Sequence, residues 1–336
     1  MTGDDARHGA RGRWVGWAVA VVVMVLAVLS LDPARVGLSM YQPIAQVIAM
    51  RGLLAICLLI AAAALLFCAL LIWHRGESRP TRLAITSAVL VAVAITHSGV
   101  VLSRGTSTPA ALPEHKPDGA IDVLAFNTLG NATSERDVAT LIDDYDPDVA
   151  ALPETTATSA RAIANRTASQ YSVFIGQGTS HVSAPTVLLV AASLGPYERI
   201  DGPNIAYGMV GARPANGVGP VVYAVHAVSP LGDRLPTWRS ELALLTDLCD
   251  NTAGAIVAGD FNATLDHEAL RATRCIDGSV DSGGIGTWPS AVASFLSAPI
   301  DHVLVDPSAW TPIASTATER PHSDHRAIVV RLVPAT

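Results

Sequence analysis

"VAGDFNAT", residues 257–264, decides how the second half of this chain folds. An apolar run ends at Gly259, and Asp260 and Asn262 follow with Phe261 between them. Residues i and i+2 of an extended segment point to the same side. Asp260 and Asn262 are therefore expected to reach one common point while Phe261 returns to the core. That arrangement suits a metal ion or a phosphate. It equally suits a turn, because Asp and Asn side chains hydrogen-bond their own backbone two residues on. These eight residues alone do not choose between the two.

On either side of this stretch, strand and helix signals alternate. "GAIVAG" (254–259) reads as a buried strand, "TWRSELALLTDLCD" (237–250) before it as an amphipathic helix, and "DHEALRATR" (266–274) after it as a short helix. Further upstream, "IDVLAFN" (121–127) and "DVAAL" (148–152) are strands. Between them "SERDVATLIDDY" (134–145) carries a capping Ser134 and apolar Val138, Leu141 and Ile142 at helical spacing, and Pro147 stops it. A helix is expected from Thr156 to about Thr167, then β runs at 171–175, 185–192, 206–213 and 219–226, and last strands near 301–305, 311–315 and 326–332. Many strands with interleaved helices mean an α/β or α+β domain, with two packed sheets and helices outside.

The polar residues at the strand ends form a pattern. Asn127, Glu154, His226, Asp260 with Asn262, and Asp301-His302 each finish or abut a strand, and Ser323-Asp324-His325 immediately precedes the last one. Any one of them reads equally well as the start of a loop. Together they are the acids, amides and imidazoles that metal-assisted phosphoryl chemistry needs. Carboxylate oxygens suit Mg²⁺, and a His beside a carboxylate makes a general base. No Cys/His spacing suggests structural zinc, and there is neither a Gly-rich phosphate loop nor a Gly-x-Ser-x-Gly elbow.

In this order, "LAFNT", "LPET", "YAVHAVSP", "AGDFNAT", "IDHVLV" and "SDHRAI" resemble the motifs of the endonuclease/exonuclease/phosphatase superfamily, the deoxyribonuclease-I-like fold, over residues 120–336. The resemblance implies an α/β fold: a four-layered sandwich of two packed mixed sheets flanked by helices, with the site at one edge. It implies metal binding by Glu154 and the neighbouring Asn127, with Asp324 as a further ligand. It implies that Asp260 orients or activates the nucleophile, that Asn262 holds the phosphate, that His226 contacts the phosphate or helps the leaving group, and that Asp301 orients the terminal catalytic histidine, His325. The implied cofactor is Mg²⁺, with Mn²⁺ as the other candidate. Two departures stand out. Pro153 occupies the position before the metal glutamate where many members have Gln, and the basic surface of the DNA-repair members is missing. His302 and His322 are expected to support the site or lie on the surface. Three Asn-x-Thr matches, at Asn131, Asn165 and Asn262, read as accidental.

Charge supports the second departure. Residues 120–336 hold 23 acidic residues against 12 arginines and no lysine, a net of −11. Nonspecific binding to nucleic acid depends on cationic contacts to phosphates, so the domain lacks the electrostatic footprint for duplex DNA. A small phosphate ester held locally remains compatible.

The first third of the chain is different. Mean hydropathy over all 336 residues is +0.38, and the apolar excess sits in Val15–Leu31, Leu53–Trp73 and Leu83–Leu102, none with an Asp, Glu, Lys or Arg. As helices they span roughly 25, 31 and 30 Å, close to a bilayer's hydrocarbon thickness. They are read as three transmembrane helices within residues 1–102. Arg7, Arg11 and Arg13 precede the first, and Arg75, Arg79 and Arg82 fill the second loop, whereas the first loop has only Arg35 and the boundary residue Arg51. The positive-inside rule then places the N-terminus in the cytoplasm and everything after the third span outside. His97 is read as an interfacial residue. Residues 103–119, rich in Pro, Ser, Thr and Gly, read as a flexible linker.

Cys57 and Cys68 fall within the second span and read as apolar filler, while Cys249 and Cys275 flank the "VAGDFNAT" strand. Outside the cytoplasm such a pair is free to form a disulfide. The expectation is thus a membrane-anchored, Mg²⁺-dependent phosphoesterase acting outside the cytoplasm on a lipid headgroup, a nucleotide or nucleic acid. The alternative is a non-catalytic, membrane-tethered binding domain on the same fold.

Overall fold

The computed structural model describes residues 3–76, 80–180 and 183–335. Twelve strands form two six-stranded sheets. The first sheet contains β1 (Ile121–Ala125), β2 (Val149–Leu152), β3 (Tyr171–Gly176), β4 (Thr186–Ala191), β11 (Trp310–Glu319) and β12 (Arg326–Pro334), in the order β11-β12-β1-β2-β4-β3. The second contains β5 (Tyr197–Ile200), β6 (Met209–Pro214), β7 (Val221–His226), β8 (Ala255–Asp260), β9 (Ile276–Asp277) and β10 (Asp301–Val305), in the order β5-β6-β7-β8-β10-β9. Each sheet is mixed: β1 runs parallel to β2, and β7 parallel to β8, while the other pairings are antiparallel. Helices α5 (Glu135–Tyr145) and α6 (Ala157–Ala164) pack outside the first sheet, and α7 (Leu235–Asn251) and α8 (Glu268–Ala272) outside the second.

The period of two along β8 shows why the sheets stack. Ile256 and Ala258 point into the core between the sheets, with Val123, Ala125, Val222, Val303 and Val330. Ala255 and Val257 point the other way, under α7 with Trp238, Leu242 and Leu245. Both faces of the strand are buried, so it reads as a continuous apolar run. The helices start where local chemistry starts them. The Ser134 hydroxyl accepts from Asp137 N, and the Thr156 hydroxyl from Ser159 N. Helix α5 ends on Asp146 in the left-handed region, immediately before Pro147.

The N-terminal region holds α1 (Gly3–Leu29), the short α2 (Ile44–Ala49), α3 (Arg51–His74) and α4 (Thr81–Ser103). Helices α3 and α4 are long and apolar enough to cross a membrane. The apolar part of α1, Trp14–Leu29, is shorter, so two of the three expected spans have full length. Arg79, and the side chains of Arg7, Arg11 and Arg13, lie outside the described residues.

Three expectations for this region change. His97 is buried inside the helix bundle rather than interfacial: its Nδ1 accepts from Arg51 Nη1 at 2.8 Å, and its Nε2 lies 3.0 Å from Ser30 Oγ. Residues 104–119 form no helix or strand, yet they are pinned along the two-sheet domain rather than free. Ser107 N donates to Asp281 O, Arg331 donates to Pro113 O and His115 O, and Leu112 is buried in the core beside α5. Finally, the stretch between α1 and α3 is folded into the domain. Met40 and Ala45 belong to the same core as Trp238, Leu242 and Phe261.

Candidate active site

The sheet topology explains why residues far apart in sequence converge. β1, β2, β7 and β8 all point their C-terminal ends at one edge of the sandwich, and the antiparallel β10 and β12 begin there. Asp260 stands opposite His226 in one pairing and opposite Asp301 in the other. A glycine before Asp260 is required: Gly259 has φ +140, and a Cβ there would sit 2.1 Å from Val225 O.

The opening stretch is both a turn and part of the site. Asp260 Oδ1 accepts from Asn262 N at 2.8 Å, the turn that its sequence favours. Phe261 is fully buried under α7, as expected. Asp260 itself is buried at the cleft floor, and its second oxygen accepts from Asn127 Nδ2 at 3.1 Å. Asn262 adopts the left-handed φ of +48, and its Nδ2 donates to Ala227 O at 2.9 Å. Glu154 is also left-handed, at φ +58, an uncommon state for a residue of its kind. Such strain persists only where surrounding structure enforces it, and it clusters at functional sites.

All eight predicted site residues meet. Asn127, Glu154, His226, Asp260, Asn262, Asp324 and His325 line one cavity of about 330 Å³, and Asp301 lies directly behind His325. His325 Nδ1 donates to Asp301 Oδ2 at 2.7 Å, which turns Nε2 toward Asp260 Oδ2 at 3.7 Å and Asp324 Oδ1 at 3.9 Å. His226 Nε2 lies 3.5 Å from Asp260 Oδ2 and 3.9 Å from Glu154 Oε1. Among the described residues, no Arg or Lys pairs with Glu154, Asp260, Asp301 or Asp324.

This crowding splits the proton affinities. Burial and the Asp301 carboxylate push Asp260 up to about 7, against the pull of His325. Burial alone would lower His325, but the carboxylates of Asp301 and Asp260 overcome it and raise it to about 10. Burial and the nearby His325 push His226 down to about 3, so it stays neutral. Burial and neighbouring charge thus pull the proton affinities of Asp260, His325 and His226 apart within one cleft.

The donor set fits a hard divalent cation. Among the described residues, Asp324 Oδ1 and Asp301 Oδ1 are buried without any hydrogen-bond partner, and the carboxylates of Asp260, Asp301 and Asp324 gather around His325 with no Arg or Lys paired to them. Oxygen-rich sites of this kind suit Mg²⁺ or Mn²⁺. Asp260, Asp301 and His325 also bring ligand atoms within 4.8 Å of one another, but Asp301 and His325 already bond each other. Asn127 differs from expectation in one respect. It turns Nδ2 to Glu154 and Asp260, while its Oδ1 accepts from Leu129 N.

Further residues support the site, and of these Trp288 and Tyr207 carried no sequence signal. Trp288 Nε1 donates to Asp324 Oδ2 at 2.9 Å, and Ser323 Oγ donates to Asn127 O at 2.7 Å, tying the last motif to the first. Tyr207 packs on the His226 ring at 4.8 Å. His302 is buried between Asp277 and Ala263 O, where it holds the loop after β8, whereas His322 is exposed at a left-handed turn. Cys249 and Cys275 form a disulfide with Cα atoms 6.3 Å apart, joining the end of α7 to the residue before β9. The cavity also has an unexpected wall: Ala45, Gln46, Ala49 and Met50, from α2 and the residue after it.

Residues 124–325 match the sequence profile of the endonuclease/exonuclease/phosphatase family. Among curated proteins, no match is found. Of solved structures, the endonuclease/exonuclease/phosphatase from Beutenbergia cavernae superposes with a TM-score of 0.50 at 17% identity, covering 64% of this chain and 72% of that one. A humanized D. rerio TDP2 gives 0.49 at 17% identity, over 64% of this chain and 99% of that one. The human Nocturnin catalytic domain with bound sulfate anion gives 0.48 at 16%, over 66% and 100%. Likeness at these identities concerns the fold alone.

Proposed function

The chain belongs to the endonuclease/exonuclease/phosphatase family, a family of metal-dependent phosphate-ester hydrolases, and from that premise we propose a membrane-anchored, Mg²⁺-dependent phosphoesterase whose catalytic domain faces away from the cytoplasm. The observation that carries this reading is the convergence of Glu154, Asp260, Asp324, His226 and His325 on one cavity, with no Arg or Lys paired to these acids among the described residues. Glu154 and Asp324, with Asn127 beside them, would hold the cation. Bound by these residues, a divalent cation would supply charge neutralisation for the phosphate and the leaving oxygen.

The chain's own residues supply the rest. Asp301 fixes the orientation of His325, so that Nε2 faces the cavity. Asp260, next to both histidines, accepts the proton of an attacking water. His226 and Asn262 line the same cleft, where N–H groups stabilise charge developing on the phosphate. The oriented donors are in place before the substrate arrives and cost no reorganisation during the reaction.

Membrane anchoring is supported by the length and apolarity of α3 and α4 and by the large side chains that they expose, among them Ile60, Phe67, Trp73 and Ile95. Arg7, Arg11, Arg13, Arg75, Arg79 and Arg82 against Arg35 and Arg51 support the outward orientation. The test uses the full chain in detergent with bis-p-nitrophenyl phosphate and p-nitrophenyl phosphate. Hydrolysis that EDTA abolishes, Mg²⁺ restores and Asp260→Asn removes supports the reading. No hydrolysis of either ester, with binding of a phosphate ester intact, returns the non-catalytic alternative.

A further inference from the structure

The wall that α2 gives the cavity points to the kind of substrate. Beside the acids and imidazoles, part of the lining is apolar: Ala45, Ala49, Met50, Leu129, Leu231 and Trp288. Leu129, Leu231 and Trp288 are exposed large apolar side chains, and all three gather at this one mouth. The wall is fixed in place. Gln42 Nε2 donates to Pro230 O at 3.1 Å, Gln46 Nε2 donates to the same carbonyl, and His267 Nε2 donates to Ala45 O at 3.0 Å.

The wall also runs straight into the membrane region. Met50 is followed at once by α3, which begins at Arg51 and is long and apolar enough to span a bilayer. The first turn of α3 packs on the domain, where a Cβ on Gly52 would sit 1.7 Å from Phe295 O. Phe295 itself is exposed beside that contact. A hydrocarbon chain leaving α3 at Met50 thus meets the apolar side chains of this wall beside the acids of the cleft.

The geometry points to a hydrocarbon-chain subsite on the α2 wall, and so to an amphiphilic substrate: a phosphate ester that carries a long hydrocarbon chain and enters from the bilayer. This rests on the phosphoesterase reading above and narrows its substrate class. The domain's net charge of −11 favours one phosphate held locally over a polyanion. A glycerophospholipid and a polyprenyl phosphate share the required chemistry.

The experiment uses the full chain in detergent micelles with Mg²⁺. Two substrate series keep the reacting phosphate constant and vary one alkyl chain from ethyl through octyl to dodecyl: alkyl phosphates, read by released phosphate, and alkyl p-nitrophenyl phosphates, read by colour. The expected result is a rise in kcat/KM of at least tenfold from ethyl to octyl in whichever series is hydrolysed. Ala49→Trp, which fills the wall, should bring the octyl-to-ethyl ratio close to one, and the wild-type series stands on its own should that variant fail to fold. Equal kcat/KM for ethyl and octyl esters overturns the chain subsite while leaving the phosphoesterase reading standing. No hydrolysis in either series fails the phosphoesterase reading instead. Faster cleavage of a single-stranded oligonucleotide than of the octyl esters also overturns the inference. Vesicles doped with a glycerophospholipid or with a polyprenyl phosphate then separate the two sources, and turnover of either supports it.

Discussion

Asp266→Asn tests how the N-terminal helical region is fastened to the catalytic domain. The Asp266 carboxylate accepts four hydrogen bonds from two arginines: Arg51 Nε at 2.8 Å and Nη2 at 2.7 Å, and Arg104 Nη1 at 2.9 Å and Nη2 at 2.6 Å. The Asp266 and Arg51 side chains are each 6% exposed and Arg104 is 21% exposed. Burial alone would raise the Asp266 pKa, but the two guanidinium groups overcome it and hold the carboxyl well below its usual range. The cluster joins the start of α3 and the residue after α4 to the loop that follows "VAGDFNAT". Its attraction offsets a large desolvation cost, so its net worth against apolar replacements is small, whereas removing one partner strands the others and costs about 3–5 kcal/mol. Asp266→Asn keeps the size of the side chain and removes its charge, leaving two arginines uncompensated at a buried junction. In a domain of this size each kcal/mol lowers the melting temperature by roughly 2–4 °C, so the loss is roughly 6–20 °C. The assay is thermal unfolding of the full chain in detergent, followed by tryptophan fluorescence. The triple variant Arg51→Gln/Arg104→Gln/Asp266→Asn should recover much of the loss, because it leaves no unpaired charge. A single variant that melts within about 1 °C of the wild type, or a triple variant worse than the single, refutes the argument.

Four further outcomes are expected. Glu154→Gln and Asp324→Asn should raise the Mg²⁺ concentration for half-maximal activity by at least about 10–100-fold, the range that outer partners alone produce, with an unchanged melting temperature; activity equal to wild type at limiting Mg²⁺ would remove both from the metal site. Reducing the Cys249–Cys275 disulfide, which closes a separation of 26 residues, should cost about 3 kcal/mol. The check is denaturant unfolding with and without reductant, and free alkylation of both cysteines in native, unreduced protein would contradict it. For His302, burial lowers the pKa but the bonded Asp277 carboxylate outweighs it, so the folded value lies above the ordinary one. Its contribution is full below the ordinary histidine pKa and fades as pH rises through the folded value, so the denaturation midpoint should fall on the alkaline side in wild type and less in His302→Gln; parallel curves would contradict this. A phosphatase-type reporter at the C-terminus should be active outside the cytoplasm, and the reverse pattern would overturn the orientation.

Much of the site was legible because strand signals are local. The run before Gly259, the run before Glu154 and the run before His226 each announce a buried strand, and a polar residue at the mouth of a buried strand stands out against them. The residue types at those mouths then limited the chemistry to a cation and a phosphate. The sequence by itself therefore determined the two-sheet α/β class, the Ser134 and Thr156 helix starts, the place of Phe261 in the core, and the seven residues that line the cavity with Asp301 behind them.

What the tertiary structure decided depends on pairings that leave no periodic trace. Nothing around Asp260 announces that His226 and Asp301 stand opposite it, because register is settled between strands rather than within one. The edge strands β5 and β9 are short, and their stabilisation comes from neighbours, so they escaped the sequence. Helix α2 has six residues, too few for a helical period to appear, and it gains its place only by packing with Ala45 in the domain core. Asp266 and Arg51 are 215 residues apart, and each alone reads as a solvated charge. Burial turns them into partners, because a buried charge must find its opposite wherever the fold has brought one. For the same reason the stretch between α1 and α3, which reads as a mere connection, becomes a wall of the active site.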